Sequence, residues 1–161
     1  AGEFQTAFVT MGGSGSTLLL TFMLLLLAKS EQLKAIGKAE EIPAIFNINE
    51  PLLFGLPIVY NPDLAIPFFL APMASATVAY WSITLGLCNP IIVTMPWPTP
   101  AGIGAFISTG GDWRSVIVAL ISVIIAGAIY YPFFKRHDAK PCKEEEEQRE
   151  LEEAESAAKA A

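Results

Sequence analysis

Two short polar stretches interrupt an otherwise apolar chain, and they hold the residues whose types could do chemistry. In the first, residues 46–56 (FNINEPLLFGL), Asn47, Asn49 and Glu50 lie between apolar runs. An ionised Glu near the centre of a bilayer costs about 2.5–3.5 kcal/mol, so we expect Glu50 to face a cavity or a partner instead of lipid. Pro51 removes a backbone donor, and the carbonyl group that this frees must be met by water, protein or a bound solute.

The second stretch is PWPTP, in which Trp97 lies between prolines. A tryptophan fixed in this way is a rigid surface on which the apolar face of a sugar ring can stack, although an interface or packing role for Trp97 fits the sequence equally well. Glu50 can accept hydrogen bonds from hydroxyl groups, and Asn49 can donate and accept them. Because no cationic residue is close to these positions in the sequence, the residues predict a neutral, hydroxyl-rich solute.

The composition indicates an integral membrane protein and excludes several function classes. Of the 161 residues, 53% are hydrophobic and only 16% are charged, and most of the net charge of −6 comes from residues after Phe134. No basic groove with interleaved aromatic residues is present, which argues against a nucleic-acid partner. The single histidine, His137, lies among charges without a carboxylate cluster at ligand spacing, so we expect no metal site.

Apolar spans and charge asymmetry predict how helices position these stretches. Three apolar spans are long enough, with their flanks, to cross a bilayer: residues 18–28, 64–88 and 115–134. Lysines in 29–41 and the basic residues 135–137 mark the cytoplasmic ends of the first and third spans. The 29–41 stretch itself is predicted to be a solvated loop or a short surface helix.

Two further apolar segments, 42–61 and 89–108, are broken by prolines near their middles, which predicts re-entrant hairpins instead of continuous helices. The predicted fold class is therefore all-α integral membrane, with about three transmembrane helices plus two re-entrant proline-broken helical hairpins. Such broken segments are where membrane transporters form midplane binding sites.

Composition divides the chain into two predicted parts. Residues 1–137 are predicted to form a membrane transport portion, and residues 138–161 an acidic cytoplasmic tail that is helical or disordered. The chain does not begin with Met, and its first residues lack the basic start and cleavage site of a signal peptide. We therefore expect a fragment of a longer polypeptide.

The glycine-rich stretch MGGSGST, residues 11–17, leads into the first apolar span. A phosphate-binding loop needs a Lys that reaches the phosphates, and no Lys occurs before Lys29, so a nucleotide site is not predicted. The glycines predict close backbone packing or an opening to a cavity, with amide groups available to a polar ligand.

Several of these motifs together resemble a known family. They are GGSGSTL (12–18), SEQLKAIGK (30–38), IFNINEPLLFGLPIVYNP (45–62), PFFLAP (67–72), PWPTP (96–100), TGGDWR (109–114) and YYPFFK (130–135). The chain resembles, from about residue 8 to residue 136, the sugar-transporting membrane permease (the C component) of bacterial phosphoenolpyruvate-dependent phosphotransferase systems, in the lactose, cellobiose and diacetylchitobiose group. The NEP block and its flanks are specific to this family, whereas GGSG alone would be weak evidence for it.

The resemblance implies a permease in the bacterial inner membrane, with a cytoplasmic C-terminus and a homodimeric full-length form. It would bind a β-linked disaccharide, which the cytosolic B component of the phosphotransferase system, carrying a phosphocysteine, phosphorylates. By motif, Glu50 would hydrogen-bond the hydroxyl to be phosphorylated and is a candidate for its base, Asn49 would orient the sugar, and Trp97 would stack on a ring. No cofactor is implied, and neither Cys88 nor Cys142 is expected to be phosphorylated. Whether this permease is itself an enzyme stays open.

The sequence also departs from the family pattern, and two other functions stay open. Pro98 follows Trp97 where the family usually has threonine, and Ser16 stands where it has alanine, so local sugar contacts are expected to differ. Family members are also two to three times longer. One alternative is an ion- or proton-coupled secondary transporter with Glu50 as its ion site. The other is a membrane module that folds but has lost activity together with its missing part.

Overall fold

The computed structural model describes residues 2–160, apart from the side chains of residues 59, 144 and 152–160. The α-helices are, in chain order, α1 (Gly2–Phe4), α2 (Leu18–Leu26), α3 (Glu31–Ile45), α4 (Glu50–Gly55), α5 (Pro62–Thr84), α6 (Ile103–Ser108) and α7 (Trp113–Ala160). A π-helix spans Gln5–Val9 and a 3-10 helix spans Ile58–Tyr60. Every regular element in the described residues is helical, which confirms the all-α prediction.

Two helices, α5 and α7, form the frame of the fold. The 23 residues of α5, and Trp113–Leu151 within α7, are long and apolar enough to cross a bilayer. Helix α2 has nine residues, which corresponds to a length of about 14 Å, less than half of a bilayer core of about 30 Å. Two of the three predicted spanning helices therefore have the required length within the described residues, and α2 alone does not.

The core lies where the shorter helices pack on this frame. One cluster of buried side chains joins α2, α3, α4, α5 and α7, and includes Leu20, Leu33, Leu52, Ala71 and Tyr130. A second cluster joins the N-terminal residues to α5, α6 and α7, and includes Phe8, Met11, Ala79, Ala105 and Val118. The glycine-rich loop, residues 10–17, connects the two clusters because it lies between the π-helix and α2.

Helix α3 shows why the charged stretch after α2 is helical and partly buried. Ser30 caps the helix by accepting a hydrogen bond from the backbone N–H of Leu33 over 3.3 Å. Positions spaced by three and four residues form the buried face of the helix: Leu33, Gly37, Glu40 and Ala44. The stretch predicted as a loop or a short surface helix is thus a helix of 15 residues that packs against α2.

Both proline-broken segments are irregular, as their prolines predict. The first divides into the end of α3, a turn at 46–49, helix α4 and the 3-10 helix. In the second, residues 89–102 form no regular element, and α6 follows. The ends of the second segment meet, because the N–H of Ile92 donates to Ser108 O over 2.8 Å and that of Asn89 to Asp112 Oδ2 over 2.9 Å.

Helix α7 continues without interruption past the basic residues 135–137, where the sequence predicts the end of the third apolar span. The residues of the acidic tail that follows are mostly Glu, Ala and Lys, which are good helix formers. This C-terminal extension contacts the start of α3: Asp138 accepts from the N–H of Lys29 over 3.0 Å, and Glu145 accepts from the hydroxyl of Ser30 over 2.6 Å. Glu145 also accepts from the N–H groups of Glu31 and Gln32, both over 3.1 Å.

Candidate functional site

The glycine-rich loop holds the side chain of Asn49. Nδ2 of Asn49 donates to Ser14 O over 2.7 Å and to Thr17 Oγ1 over 3.0 Å, and Oδ1 accepts from Ser14 N over 3.3 Å. A Cβ atom on Gly13, whose φ is +91°, would lie 2.4 Å from Cγ of Asn49. Only glycine therefore permits this approach, and the loop supplies close packing around a binding-site candidate, as the sequence predicted.

Asn47 connects three parts of the site. Its Oδ1 accepts from the N–H of Gly12 over 2.9 Å, and its Nδ2 donates to Thr99 O over 3.0 Å and to Trp97 O over 3.4 Å. The residue is 1% exposed and has a φ of +60°. Asparagine tolerates this left-handed backbone better than most residues. The sequence alone assigns Asn47 no role; its partners lie 35 to 52 positions away in the chain, so no local pattern reveals them.

Glu50 begins α4 between two residues with restricted positions, Asn49 and Pro51. The glycine-rich loop holds Asn49, and Pro51 occupies the first turn of the helix, where its missing N–H is not needed. The side chain of Glu50 is exposed on the surface of this chain. Its carboxylate is therefore available to a ligand or to another part of a larger protein.

Trp97 lies on a compact turn of the second broken segment. The hydroxyl of Thr99 donates to Pro96 O over 2.6 Å, and the carbonyl of Trp97 accepts from Asn47. Trp97 is 49% exposed. Its backbone is thus fixed while the residue stays accessible to a ligand.

A second carboxyl group, on Glu40, lies beneath α4. Glu40 is 0% exposed, and its Oε2 accepts from the N–H of Leu52 over 3.2 Å. Its Oε1 has no hydrogen-bond partner among the described residues. Burial, with a smaller contribution from the negative charge of Glu50, raises the pKa of Glu40 to about 7. From the sequence, this residue counts only as one of the charges of a surface stretch; its helical spacing from Leu33 and Ala44 is a weak signal of its burial.

The two predicted stretches meet at one junction, where the side chain of Asn47 contacts the backbone of residues 97 and 99, but the predicted residues do not line one closed cavity. A pocket between the N-terminal residues and α6 is lined by Asn47 and Thr99, and neither Glu50 nor Trp97 is among its lining residues. Among the side chains that the structure describes, no group of three from His, Cys, Asp or Glu could hold a metal ion. Cys88 and Cys142 are free thiols.

Two long apolar helices, accompanied by two proline-broken segments that Asn47 links, are the arrangement of a membrane transporter. The family model described as "Phosphotransferase system, EIIC" matches residues 1–72. The crystal structure of the transporter ChbC, the IIC component of the N,N'-diacetylchitobiose-specific phosphotransferase system, superimposes with a TM-score of 0.88 at 39% identity. That match covers 91% of this chain and 34% of ChbC.

Sequence relatives agree with the structural match. The cellobiose-specific EIIC component of Lactococcus lactis is 43% identical over 127 residues, which are 79% of this chain and 26% of the relative. The lactose-specific EIICB component of Streptococcus mutans is 43% identical over 144 residues, 89% of this chain and 25% of the relative. The chain belongs to the phosphotransferase system EIIC family and corresponds to a C-terminal part of such permeases.

The chain spans about a quarter to a third of the length of these relatives. Proteins of this family are integral membrane transporters, and the two long apolar helices α5 and α7 agree with that membership. The recognition made from the NEP and PWPTP motifs is thereby confirmed.

Proposed function

We propose that this chain is the sugar-binding transport part of a phosphotransferase permease for a β-linked disaccharide of the cellobiose, chitobiose or lactose class. The observation that carries the proposal is the side chain of Asn47, which ties the glycine-rich loop to the PWPTP turn. This link supports a site near the junction to which Asn49, Glu50 and Trp97 contribute. The relatives named for cellobiose, lactose and diacetylchitobiose support the substrate class.

Each proposed contact uses an atom or a surface of the side chain that no other residue in the described part of the chain occupies. Glu50 accepts a hydrogen bond from the hydroxyl to be phosphorylated and is the candidate base for its proton, since its carboxylate is exposed on this chain. Trp97 stacks its exposed ring on a sugar ring. Both Nδ2 hydrogens of Asn49 are used by the loop, so Asn49 orients the sugar through the remaining acceptor site of Oδ1.

We propose the topology predicted from the sequence, with three crossings and two re-entrant hairpins. Asp138 contacts Lys29, which supports placing the end of the α2 span and the end of the α7 span on the same side. The first hairpin ends beside the cytoplasmic end of the α7 span, since Asn61 contacts His137. The contact between Asn89 and Asp112 supports the second hairpin.

In this proposal the side carrying Lys29 and the C-terminal extension is cytoplasmic, in the inner membrane of a bacterial cell. Residues 1–137 form the transport portion, and residues 138–161 extend into the cytoplasm. A cytosolic EIIB partner with a phosphocysteine donates the phosphoryl group there, and the full-length permease is a homodimer. The lactose-specific relative, named an EIICB component, supports an EIIB partner.

Equilibrium binding of radiolabelled cellobiose and diacetylchitobiose to the detergent-purified full-length permease tests the proposal. Glu50→Gln keeps an acceptor but replaces a charged one with a neutral one, which weakens a hydrogen bond by about 1–1.5 kcal/mol, so we expect it to weaken binding by about five- to tenfold. Trp97→Ala is also expected to weaken it. Glu41→Gln and Trp113→Ala change exposed residues outside the junction and serve as matched controls.

The outcomes separate the proposal from its alternatives. Unaltered binding in Glu50→Gln would remove this residue from the sugar site. A folded parent permease that binds no disaccharide, yet moves charge in response to pH or Na+, would instead identify an ion-coupled transporter. A folded permease with neither property would be an inactive membrane module.

A further inference from the structure

Glu40 occupies a position where a charged side chain is unexpected. It lies on the buried stripe of α3 between Gly37 and Ala44, and its side chain is 0% exposed. Ionised carboxylates are almost never buried in this way unless they are paired. No salt bridge to Glu40 exists among the described residues, and one of its two oxygens has no hydrogen-bond partner there.

The single hydrogen bond of Glu40 falls at the start of the helix that carries Glu50. The first N–H groups of a helix have no acceptor within the helix, and a side chain at the N-cap usually supplies one. In α4 the N-cap residue Asn49 makes no such bond, because the glycine-rich loop occupies its amide group. The N–H of Leu53 bonds to the carbonyl of Asn49, and the N–H of Leu52 bonds to Glu40.

We propose that Glu40 is a positioning residue for Glu50, because its buried carboxyl group replaces the missing N-cap of α4. This inference rests on the proposed function of Glu50. Glu50 is then held on both sides: the preceding residue is fixed by the loop, and the turn that follows is fixed through Leu52. Without Glu40, the first turn of α4 has a buried, unpaired N–H, and the direction of Glu50 is less restricted.

The charge state of Glu40 makes this role sensitive to pH. Of the elements packed against α3, α2 contains no titratable residue, α4 contributes Glu50, and α7 presents Asp138 and Glu145 to the other end of α3. Burial raises the pKa of Glu40 to about 7, with a smaller contribution from the negative charge of Glu50. The neutral acid can still accept from Leu52 through Oε2, whereas the ionised form adds a buried negative charge near Glu50.

The test measures disaccharide binding by the full-length permease at pH 6 and pH 8. Glu40→Gln keeps a carbonyl acceptor for Leu52 but cannot ionise, and Glu40→Met keeps an unbranched side chain of similar length but removes the acceptor. Glu41→Gln, on the exposed face of the same helix, is the control. We expect the parent and Glu41→Gln to bind more weakly at pH 8 than at pH 6, by about threefold or more.

We expect Glu40→Gln to bind equally at both pH values, with the affinity of the parent at pH 6. Glu40→Met is expected to lose about tenfold in affinity, with helical content retained. A Glu40→Gln variant with the pH profile of the parent would overturn the proposal, as would parental binding by Glu40→Met. Glu50→Gln in the same series separates the role of Glu40 from the proposed function of Glu50, because normal binding by this variant would contradict the proposed function.

Discussion

The hydroxyl group of Tyr130 donates a hydrogen bond to the carbonyl oxygen of Gly15 over 2.8 Å. Tyr130 lies on α7 and is 0% exposed, while Gly15 belongs to the loop that holds Asn49. This bond links a long helix of the frame to the loop around the candidate sugar site. The position of Asn49 therefore depends on α7, although the two are far apart in the sequence.

Replacing Tyr130 by Phe tests this link. The variant leaves the buried carbonyl oxygen of Gly15 without the hydrogen bond that it accepts, which costs about 1–3 kcal/mol. We expect a lower thermal unfolding temperature for the purified permease and weaker disaccharide binding. Tyr131→Phe removes a hydroxyl from the adjacent, exposed side chain and should change neither quantity. Equal effects of the two substitutions would contradict the proposed link.

Alanine at position 13 should disturb Asn49 directly. The new Cβ atom would lie 2.4 Å from Cγ of Asn49, and the backbone there has a φ of +91°. Gly86→Ala is a matched control because its φ is +72° but nothing lies within 4 Å of the added atom. Left-handed backbone costs a non-glycine residue about 1–2 kcal/mol, so Gly86→Ala should lose about that much stability and Gly13→Ala more, because of the clash. Only Gly13→Ala should also lose sugar binding, as measured by equilibrium binding.

Two substitutions of Asn47 separate its side chain from its backbone. Asn47→Gly removes the hydrogen bonds to Gly12 and Thr99 but accepts the φ of +60°. Asn47→Ala removes the same bonds and adds the cost of a left-handed alanine, about 1–2 kcal/mol. Chemical denaturation should therefore rank stability as parent, then glycine, then alanine. An alanine variant as stable as the glycine variant would argue against backbone strain at this position.

The stability of the protein should depend on pH through Glu40. Its pKa is raised to about 7 by burial, whereas an unfolded Glu titrates near the ordinary value of about 4.3. The folded state therefore binds the proton more tightly, and stability should fall as the pH rises between these two values and then level off. Thermal unfolding from pH 4 to pH 8 measures this slope. Glu40→Gln should flatten it, while Glu41→Gln should not.

Composition and proline spacing were sufficient to predict an all-helical membrane protein whose apolar segments are broken around the NINEP and PWPTP motifs. These features are local, since a proline removes its own backbone donor wherever the segment packs. The link made by Asn47 could not be predicted, because it joins residues 35 and 52 positions apart. The burial of Glu40 was also missed, since a stripe that contains Gly37 and Glu40 has little apolar contrast.

Asp138 and Glu145 contact the start of α3, so the chain cannot be cut at residue 137 without affecting the rest of the fold. By composition the acidic tail begins at residue 138, and it looks dispensable. Yet a chain shortened to residue 137 loses the acceptors for the amide groups of residues 29–32, at the start of the helix that carries Glu40. The first turns of the tail hold the start of α3, so a displacement of the tail would be transmitted through that helix toward the candidate sugar site.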